Sequence, residues 1–297
     1  MKIPVLLSLV ALIHPWAIVQ ASPIHEQSED QTVKSQAFTV PLTRDPRFKH
    51  NTLLQIQKIH RRYGVSRIGT LPIKDVHPDL EYYGTVSVGT PAQPINFNLD
   101  TKFMDNAIAN GLVSKPVVSV FMPSIRQNGG VGGEYRFGEI DSSKYRGDLV
   151  YVPVTKKGYW QVAVQGIVVG GKDLGVSSQG IIDTGTTLIL VSDAVANLVH
   201  QQIPGAIKHR EYGWMVPCSI KKNLADKISF RMGGQLFDVA VADLAYEEMR
   251  KGGPNCFSGV QGGMSKLWIL GDVFIKNNYC VFEQSERPRI GMAPLRY

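Results

Sequence analysis

The stretch Ile181-Ile182-Asp183-Thr184-Gly185-Thr186-Thr187 decides the fold of this chain. Two apolar residues lead into an acidic turn, and Gly185 permits a tight backbone turn where a side chain would clash. A threonine hydroxyl beside it can donate a hydrogen bond to Asp183 and hold the carboxylate as an anion. The stretch therefore predicts a strand that ends in a turn presenting a carboxylate.

A related stretch lies earlier in the chain, at Asn96-Phe97-Asn98-Leu99-Asp100-Thr101. It also runs an alternating strand pattern into Asp-Thr, and it follows the turn sequence Gly84-Thr85-Val86-Ser87-Val88-Gly89-Thr90-Pro91. Two stretches that share the pattern of a strand leading into Asp-Thr indicate an internal duplication. The acidic turn of Asp183 becomes chemically useful if Asp100 faces it, because two carboxylates a few ångströms apart share one proton.

These stretches, together with Trp268-Ile269-Leu270-Gly271-Asp272, resemble the pepsin-like aspartic endopeptidases in their secreted fungal form. The resemblance covers nearly everything from Leu71 to Tyr297. It depends on the order of its motifs, which are Glu81-Tyr82-Tyr83-Gly84, the Val-Gly-Thr-Pro turn, both Asp-Thr steps and the late Ile-Leu-Gly. It implies a mainly β, pepsin-like acid protease fold built from two lobes.

The resemblance implies hydrolysis of peptide bonds in peptide or protein substrates at acidic pH, without a covalent intermediate. One carboxylate activates a water molecule and the other donates a proton to the scissile carbonyl. The residues carried over are Asp100 and Asp183 as the catalytic pair, Thr101, Thr184, Gly185 and Thr186 as residues that support the pair, and Ile269, Leu270 and Gly271 as a structural motif. No metal or cofactor is expected, because no Cys or His occurs at short ligand spacing.

The chain departs from the family directly after Thr101. Gly and a hydroxyl residue are expected there, but Lys102 and Phe103 follow, and the amphipathic stretch Phe103–Val113 belongs near the end of the first lobe in the family. The flap hairpin with its tyrosine, and the strands that wall one side of the cleft, are missing. The sequence therefore predicts a truncated N-terminal lobe beside a complete C-terminal lobe.

The chain divides into four predicted segments. Residues 1–21 are a secretory signal peptide, 22–71 a basic propeptide, 72–133 a remnant of the N-terminal lobe and 134–297 the C-terminal catalytic lobe. The signal predicts a secreted protein, or a vacuolar one that uses the same pathway. No membrane anchor is expected, because the apolar run in the signal is too short and nothing later could span a bilayer.

Most of the excess positive charge lies in residues 22–71, which we call the leader. The leader holds eight Lys or Arg and four Asp or Glu, within a chain whose net charge is +7. By resemblance it is an inhibitory propeptide whose cations neutralise the acidic cleft and release it when the carboxylates protonate, with cleavage between Arg61 and Thr70. Nucleic acid is not expected as a partner of a secretory protein, and a plain linker is the alternative.

Period-two runs separated by turn signals predict strands, and helical periodicity is brief. The strands are predicted at 151–154, 159–164, 166–171 and 179–182, and the helices at 103–113 and 193–202, the latter with Ser192 as N-cap. Cys218 and Cys256 match the second-lobe disulfide of the family. Cys280 alternates with core-facing positions and is predicted to be a buried structural thiol.

Lys102 predicts that the acidic pair is impaired. An ammonium about 4 Å from the pair is worth roughly 4 kcal/mol at an effective dielectric of 20, or about three pK units. Both carboxylates would then ionise, and neither could donate the proton. The sequence thus predicts little or no protease activity for this chain.

The sequence therefore leaves three hypotheses about function open. The first is an active aspartic endopeptidase. The second is a non-catalytic relic, or a gene model with a skipped exon, whose C-terminal lobe binds peptides or another protein. The third is a one-lobe protease that forms a homodimer, so that two copies of Asp183 make the pair.

Overall fold

The computed structural model describes residues 38–43, 83–88, 93–97, 113, 115–124, 133–223 and 225–296, the first three ranges through their backbone. The described residues form four β-sheets with short helices between the strands. This confirms the prediction of a mainly β fold.

The largest sheet has eight strands, and every neighbouring pair in it is antiparallel. In spatial order its strands are β3 (Gln93–Phe97), β2 (Tyr83–Val88), β1 (Phe38–Thr43), β5 (Glu134–Phe137), β4 (Val117–Phe121), β20 (Asn278–Glu283), β21 (Arg289–Pro294) and β6 (Val150–Pro153).

The middle of this sheet is buried on both faces. In β4, Val118 and Val120 point into the main core, while Val117 and Phe121 join a smaller core on the opposite face. Successive side chains of a strand point to opposite faces, so a strand covered on both sides is mostly apolar, as β4 is apart from the buried Ser119. The same geometry buries Cys280, which confirms the prediction of a buried thiol. Burial raises the pKa of this thiol above its ordinary range.

Three smaller sheets complete the described fold. The five-stranded sheet contains, in spatial order, β18 (Val260–Met264), β11 (Ile189–Ser192), β19 (Leu267–Leu270), β10 (Ser178–Ile182) and β7 (Gln161–Val164). One four-stranded sheet contains β12 (Ile207–His209), β13 (Gly213–Pro217), β17 (Asn255–Ser258) and β16 (Ala245–Glu248), and the other contains β15 (Gln235–Ala240), β14 (Lys227–Met232), β8 (Gly166–Val169) and β9 (Lys172–Asp173).

In the described part of the chain, two short α-helices and three 3₁₀ turns connect these strands. The α-helices are α1 (Asp193–His200) and α2 (Asp272–Ile275), and the 3₁₀ turns are Ser142–Lys144, Cys218–Lys222 and Val241–Leu244. The Ser192 hydroxyl caps α1 by accepting a hydrogen bond from the N–H of Val195 at 3.2 Å, as predicted. The helix ends at His200, two residues before the predicted end. The helix predicted at 103–113 lies outside the described residues, apart from Val113.

Two predicted strands are shorter in the structure. The strand predicted from Tyr159 begins at Gln161, because an isolated bridge between Lys156 and Gln161 closes a turn over the residues in between. The strand predicted through Gly171 ends at Val169. Gly170 and Gly171 then take φ angles of 55° and 83°, the left-handed region that glycine tolerates, and turn the chain into β9.

The predicted disulfide between Cys218 and Cys256 is present, with a Cα–Cα distance of 5.0 Å. It ties the 3₁₀ turn Cys218–Lys222 to strand β17 across 38 residues of sequence. Among the described residues, no helix is long and apolar enough to cross a bilayer.

Candidate active site

Asp183 directly follows β10, at the point where three strands of the five-stranded sheet converge. Strand β19 lies between β10, to which it is parallel, and β11, to which it is antiparallel. The N–H of Asp183 donates to the carbonyl of Leu270 at 3.1 Å and so continues the ladder one residue past β10. The loop between β10 and β11 therefore passes over the end of β19 and holds Asp183 there.

Both carboxylate oxygens of Asp183 accept hydrogen bonds from its own turn. The N–H of Gly185 donates to Oδ1 at 3.0 Å, and the hydroxyl of Thr186 donates to Oδ2 at 2.5 Å. The N–H of Thr186 also donates to the carbonyl of Asp183 at 3.3 Å. These bonds fix the plane of the carboxyl group while the residue stays half-buried. Thr184 lies between Asp183 and these two donors in the sequence and is half-buried as well.

Gly271 sits where the acidic turn approaches the end of β19 most closely. A Cβ atom at this position would lie 2.1 Å from the carbonyl oxygen of Thr186 and 2.7 Å from that of Leu188. Both are backbone atoms that cannot swing away, so any side chain here would push the turn off the sheet. Ile269 and Leu270 are fully buried in β19 and anchor the same end. The Ile-Leu-Gly motif thus packs against the acidic turn and supports it.

Asp272 lies immediately behind the acidic turn, and sequence reasoning gave it no role. Its N–H donates to the carbonyl of Thr186 at 2.7 Å, and its side chain is buried, with 3% of the residue exposed. The Oδ1 atom is buried without a hydrogen-bond partner among the described residues. Burial raises the pKa of Asp272 well above its usual range; Lys276 opposes this shift and the charge of Asp183 adds to it. The feature of the sequence that marks Asp272 is its place directly after the Ile-Leu-Gly motif. Acids are ordinary at the start of a helix, so this place alone does not indicate a buried carboxyl group.

A turn from Thr155 to Trp160 lies beside strand β10, which leads into Asp183. The carbonyl of Trp160 accepts a hydrogen bond from the N–H of Ile182 at 3.1 Å, one residue before Asp183. The hydroxyl of Thr155 donates to the side-chain oxygen of Gln179 at 2.5 Å. The turn is therefore fastened to β10 at both ends.

Asp100, Thr101 and Lys102 lie outside the described residues. The structure accordingly describes one of the two carboxylates proposed as the pair. No group of His, Cys, Asp or Glu among the described residues could hold a metal ion.

The sequence of the chain is similar to those of proteins from a known family. Residues 101–295 match the sequence model of the eukaryotic aspartyl proteases. Rhizopuspepsin-1 from Rhizopus niveus is 39% identical over 193 residues, which cover 65% of this chain and 47% of that protein. Cathepsin E from Oryctolagus cuniculus is 37% identical over 222 residues, which cover 72% of this chain and 54% of that protein.

The chain spans about half of the length of these two relatives. A longer match, to rhizopuspepsin from Rhizopus chinensis, is 25% identical over 381 residues and covers 90% of this chain and 95% of that protein. This alignment is longer than the 297 residues of the chain. Part of that relative therefore has no counterpart here.

Proposed function

This chain belongs to the eukaryotic aspartyl protease family, and we propose that Asp183 supplies one of the two carboxylates of an aspartic endopeptidase site, the other being Asp100. We further propose that the chain by itself has little or no activity. The observation that carries the first part is the fixed geometry of Asp183, whose two oxygens are held by Gly185 and Thr186.

This geometry suits a carboxylate that polarises a water molecule. Both Asp183 oxygens accept hydrogen bonds from neutral donors, and an ionised carboxylate oxygen has several lone pairs, so that it can also accept a proton from water. The second requirement is an acid that donates a proton to the scissile carbonyl. We assign that role to Asp100, so that hydrolysis of peptide or protein substrates would proceed at acidic pH, where the pair carries one proton.

The second part of the proposal follows from what replaces the first lobe. Lys102 comes two residues after Asp100, the proposed acid. An ammonium group at this place would favour the form of the pair in which both carboxylates are ionised. The 381-residue alignment, which is longer than this chain, supports a loss of segments that the relative retains. Reading the transcript across the Thr101–Lys102 junction distinguishes a real deletion from an exon missing in the gene model.

We propose that residues 1–21 direct the chain into the secretory pathway, towards secretion or the vacuole, and that the leader is its inhibitory propeptide. The disulfide between Cys218 and Cys256 supports an oxidising compartment, since such bonds persist there. Strand β1 supports a specific role for the leader, because residues 38–43 pair within the main sheet.

The test is acid-pH cleavage of a denatured protein substrate by the purified chain. We expect no cleavage above the level of Asp183→Asn, which keeps the shape of the side chain but removes its charge. Asp193→Asn, at an exposed acid on α1, serves as the matched control. Cleavage that Asp183→Asn abolishes, and that a transition-state-analogue inhibitor of aspartic proteases blocks, would contradict the proposed inactivity and support an active enzyme. Sedimentation of the same sample tests the homodimer hypothesis. A strictly monomeric species would rule it out.

A further inference from the structure

A pocket of about 580 Å³ lies between strand β6 and the loop that joins β20 to β21. One wall begins in β6 and continues into the Thr155–Trp160 turn, and the other wall is the stretch from Glu286 to Arg289. We call it the basic pocket. Its volume falls in the range of roughly 300–1,000 Å³ that is usual for ligand sites. None of its lining residues belongs to the acidic turn that carries Asp183.

The two walls of the basic pocket are fastened to each other by backbone contacts. The N–H of Val154 donates to the carbonyl of Pro288 at 3.0 Å, and Pro153 lies opposite Arg289 in the ladder between β6 and β21. Each of the two prolines has a fixed φ angle, which stiffens its wall. The pocket is therefore formed in advance, and a ligand would not have to order it.

Arg289 is held in one orientation inside this pocket. Its Nε–H and Nη2–H groups donate to the two carboxylate oxygens of Glu283, both at 3.0 Å. The guanidinium carbon lies 4.1 Å from the centre of the Tyr151 ring. That ring lies over Gly291 of the neighbouring strand, where an added Cβ would come within 2.9 Å of it. Among the described contacts, the N–H groups of Nη1 remain for a further acceptor.

The pocket also carries two cations that have no acidic partner in the described part of the chain. Lys157 stands on one wall and Arg287 on the other, and both are exposed. With Arg289 they bring three positive charges, against the two negative charges of Glu283 and Glu286. The excess is one positive charge, which matches one carboxylate.

The rest of the lining is apolar and favours an organic ligand over a free inorganic anion. Pro153, Val154 and Pro288 present aliphatic surface beside the cations, and the ring of Tyr151 adds an aromatic face. Grooves lined by aromatic and apolar residues bind extended peptide segments, whose side chains cover such surface. An isolated anion would leave this surface in water.

We propose that the basic pocket binds a peptide segment in which one acidic side chain is flanked by proline or aliphatic residues. The carboxylate accepts hydrogen bonds from Nη1 of Arg289 and lies between Lys157 and Arg287, while the flanking residues cover Pro153 and Pro288. This site gives a location to peptide binding by the C-terminal lobe. It is separate from Asp183 and does not depend on proteolytic activity.

The experiment measures peptide binding to the full chain carrying Asp183→Asn, so that cleavage cannot consume the probe. The probe is the peptide Gly-Ser-Val-Pro-Glu-Val-Ser-Gly, acetylated, amidated and labelled with a neutral dye, and its partner has glutamine in place of glutamate. Fluorescence anisotropy at pH 7 should give saturable binding of the first, with a dissociation constant below about 1 mM, and binding of the second at least about tenfold weaker. Absence of saturable binding, or equal affinity for the two peptides, would overturn the proposal.

Charge reversal locates the binding. Lys157→Glu together with Arg287→Glu changes the charge of the pocket from an excess of one positive to an excess of three negative, and binding should be lost. Arg250→Glu together with Lys251→Glu is the matched control, since it changes the net charge of the chain equally at two exposed positions outside the pocket. Equal weakening by the two double variants would show a diffuse charge effect and would contradict the proposed site.

A pair of charge-conserving variants tests the fixed guanidinium. Arg289→Lys keeps the charge but loses the planar group that stacks on Tyr151, so we expect binding to weaken about tenfold. Lys157→Arg keeps both charge and reach and should leave the affinity unchanged. Full affinity in Arg289→Lys would contradict the role given to Arg289. Proteolytic activity of the wild type would contradict the proposed inactivity and leave this result unaffected, so the two proposals fail separately.

Discussion

The hydroxyl of Thr186 donates a 2.5 Å hydrogen bond to Oδ2 of Asp183. The carbonyl of the same threonine accepts from the N–H of Asp272 at 2.7 Å. Thr186 therefore links the carboxylate proposed for catalysis to a second, buried acid, and this link is the basis of the first two predictions.

Replacing Thr186 by valine should destabilise the protein at neutral pH. The variant keeps the branched shape but loses a hydrogen bond to a charged group, which costs about 1.5–3 kcal/mol in the free energy of unfolding. Urea unfolding measures the difference. Thr184→Val is the control, since the Thr184 side chain makes no hydrogen bond to another described residue, and an equal loss in both variants would show that the Thr186 bond contributes nothing specific.

Asp272→Asn should change how stability depends on pH. Because the pKa of Asp272 is raised in the folded state, the unfolded chain loses this proton at lower pH than the folded protein does. The wild type should therefore lose stability as the pH rises above the ordinary aspartate range, with a slope of at most about 1.4 kcal/mol per pH unit for one proton. The Asn variant should not show this loss. A difference between wild type and variant that is the same at pH 3 and pH 7 would contradict the prediction.

His200 should make the lobe less stable in acid. Its ring stacks on Trp214 with centroids 4.3 Å apart, Nδ1–H donates to the carbonyl of Ala196 at 2.7 Å, and Nε2 accepts from the hydroxyl of Ser258 at 2.8 Å. Desolvation by burial lowers the pKa of His200 to about 4 from 6.5, and the hydrogen bond to Ala196 opposes this. Stability is then fully present above pH 6.5 and is lost as the pH falls towards 4, by about 3 kcal/mol in total.

His200→Gln removes the titrating group while keeping a neutral donor. We expect the variant to be less stable than the wild type at pH 7, because the stacking on Trp214 is lost, but to show a flatter stability curve between pH 6.5 and 4. Denaturant unfolding across this range, followed by tryptophan fluorescence, measures both effects. An unchanged slope in the variant would show that His200 does not titrate in this window.

Gly271→Ala should be one of the most damaging single substitutions in the chain. The added Cβ would meet two backbone carbonyl oxygens beneath the acidic turn, so we expect a loss of more than about 4 kcal/mol or failure to fold. Gly166→Ala is the control, since its Cβ would meet the flexible end of the Arg231 side chain at 3.1 Å. Thermal unfolding of the two variants gives the comparison, and a mild effect at Gly271 would contradict the geometry of the turn.

Removal of the disulfide, by Cys218→Ala together with Cys256→Ala, should cost about 4 kcal/mol, the chain-entropy value for a loop of 38 residues. Urea unfolding in the absence of reductant measures the loss. Reductant should destabilise the wild type by the same amount and leave the double variant unchanged. A loss below about 1 kcal/mol would mean that the bond constrains little of the unfolded chain.

The acidic turn could be predicted from sequence because its contacts are local. Gly185 and Thr186 follow Asp183 within three residues, so the short spacing determines which groups meet the carboxylate. The strand patterns likewise predicted the mainly β fold, since alternation reports directly on burial. The predicted roles of Asp100 and Thr101 remain predictions, because these residues lie outside the described part of the chain.

Two features could not be predicted because they depend on contacts distant in sequence. The burial of Asp272 arises from the loop that begins at Asp183, far away in the chain, and an acid at a helix start is ordinarily exposed. The sequence does not indicate strand β1, because Pro41 argues against an interior strand and the positively charged residues that follow it are typical of an exposed segment. Its partner Glu134 lies more than ninety residues later in the sequence.

Binding of a transition-state-analogue inhibitor of aspartic proteases at pH 4, measured by calorimetry on the purified chain and on Asp183→Asn, tests most directly whether Asp183 meets a second carboxylate in a single chain. We expect no measurable binding to either protein, because the analogue needs both acids and the first lobe is shortened. Tight binding to the chain that Asp183→Asn abolishes would show that the pair is assembled and would contradict the proposed inactivity.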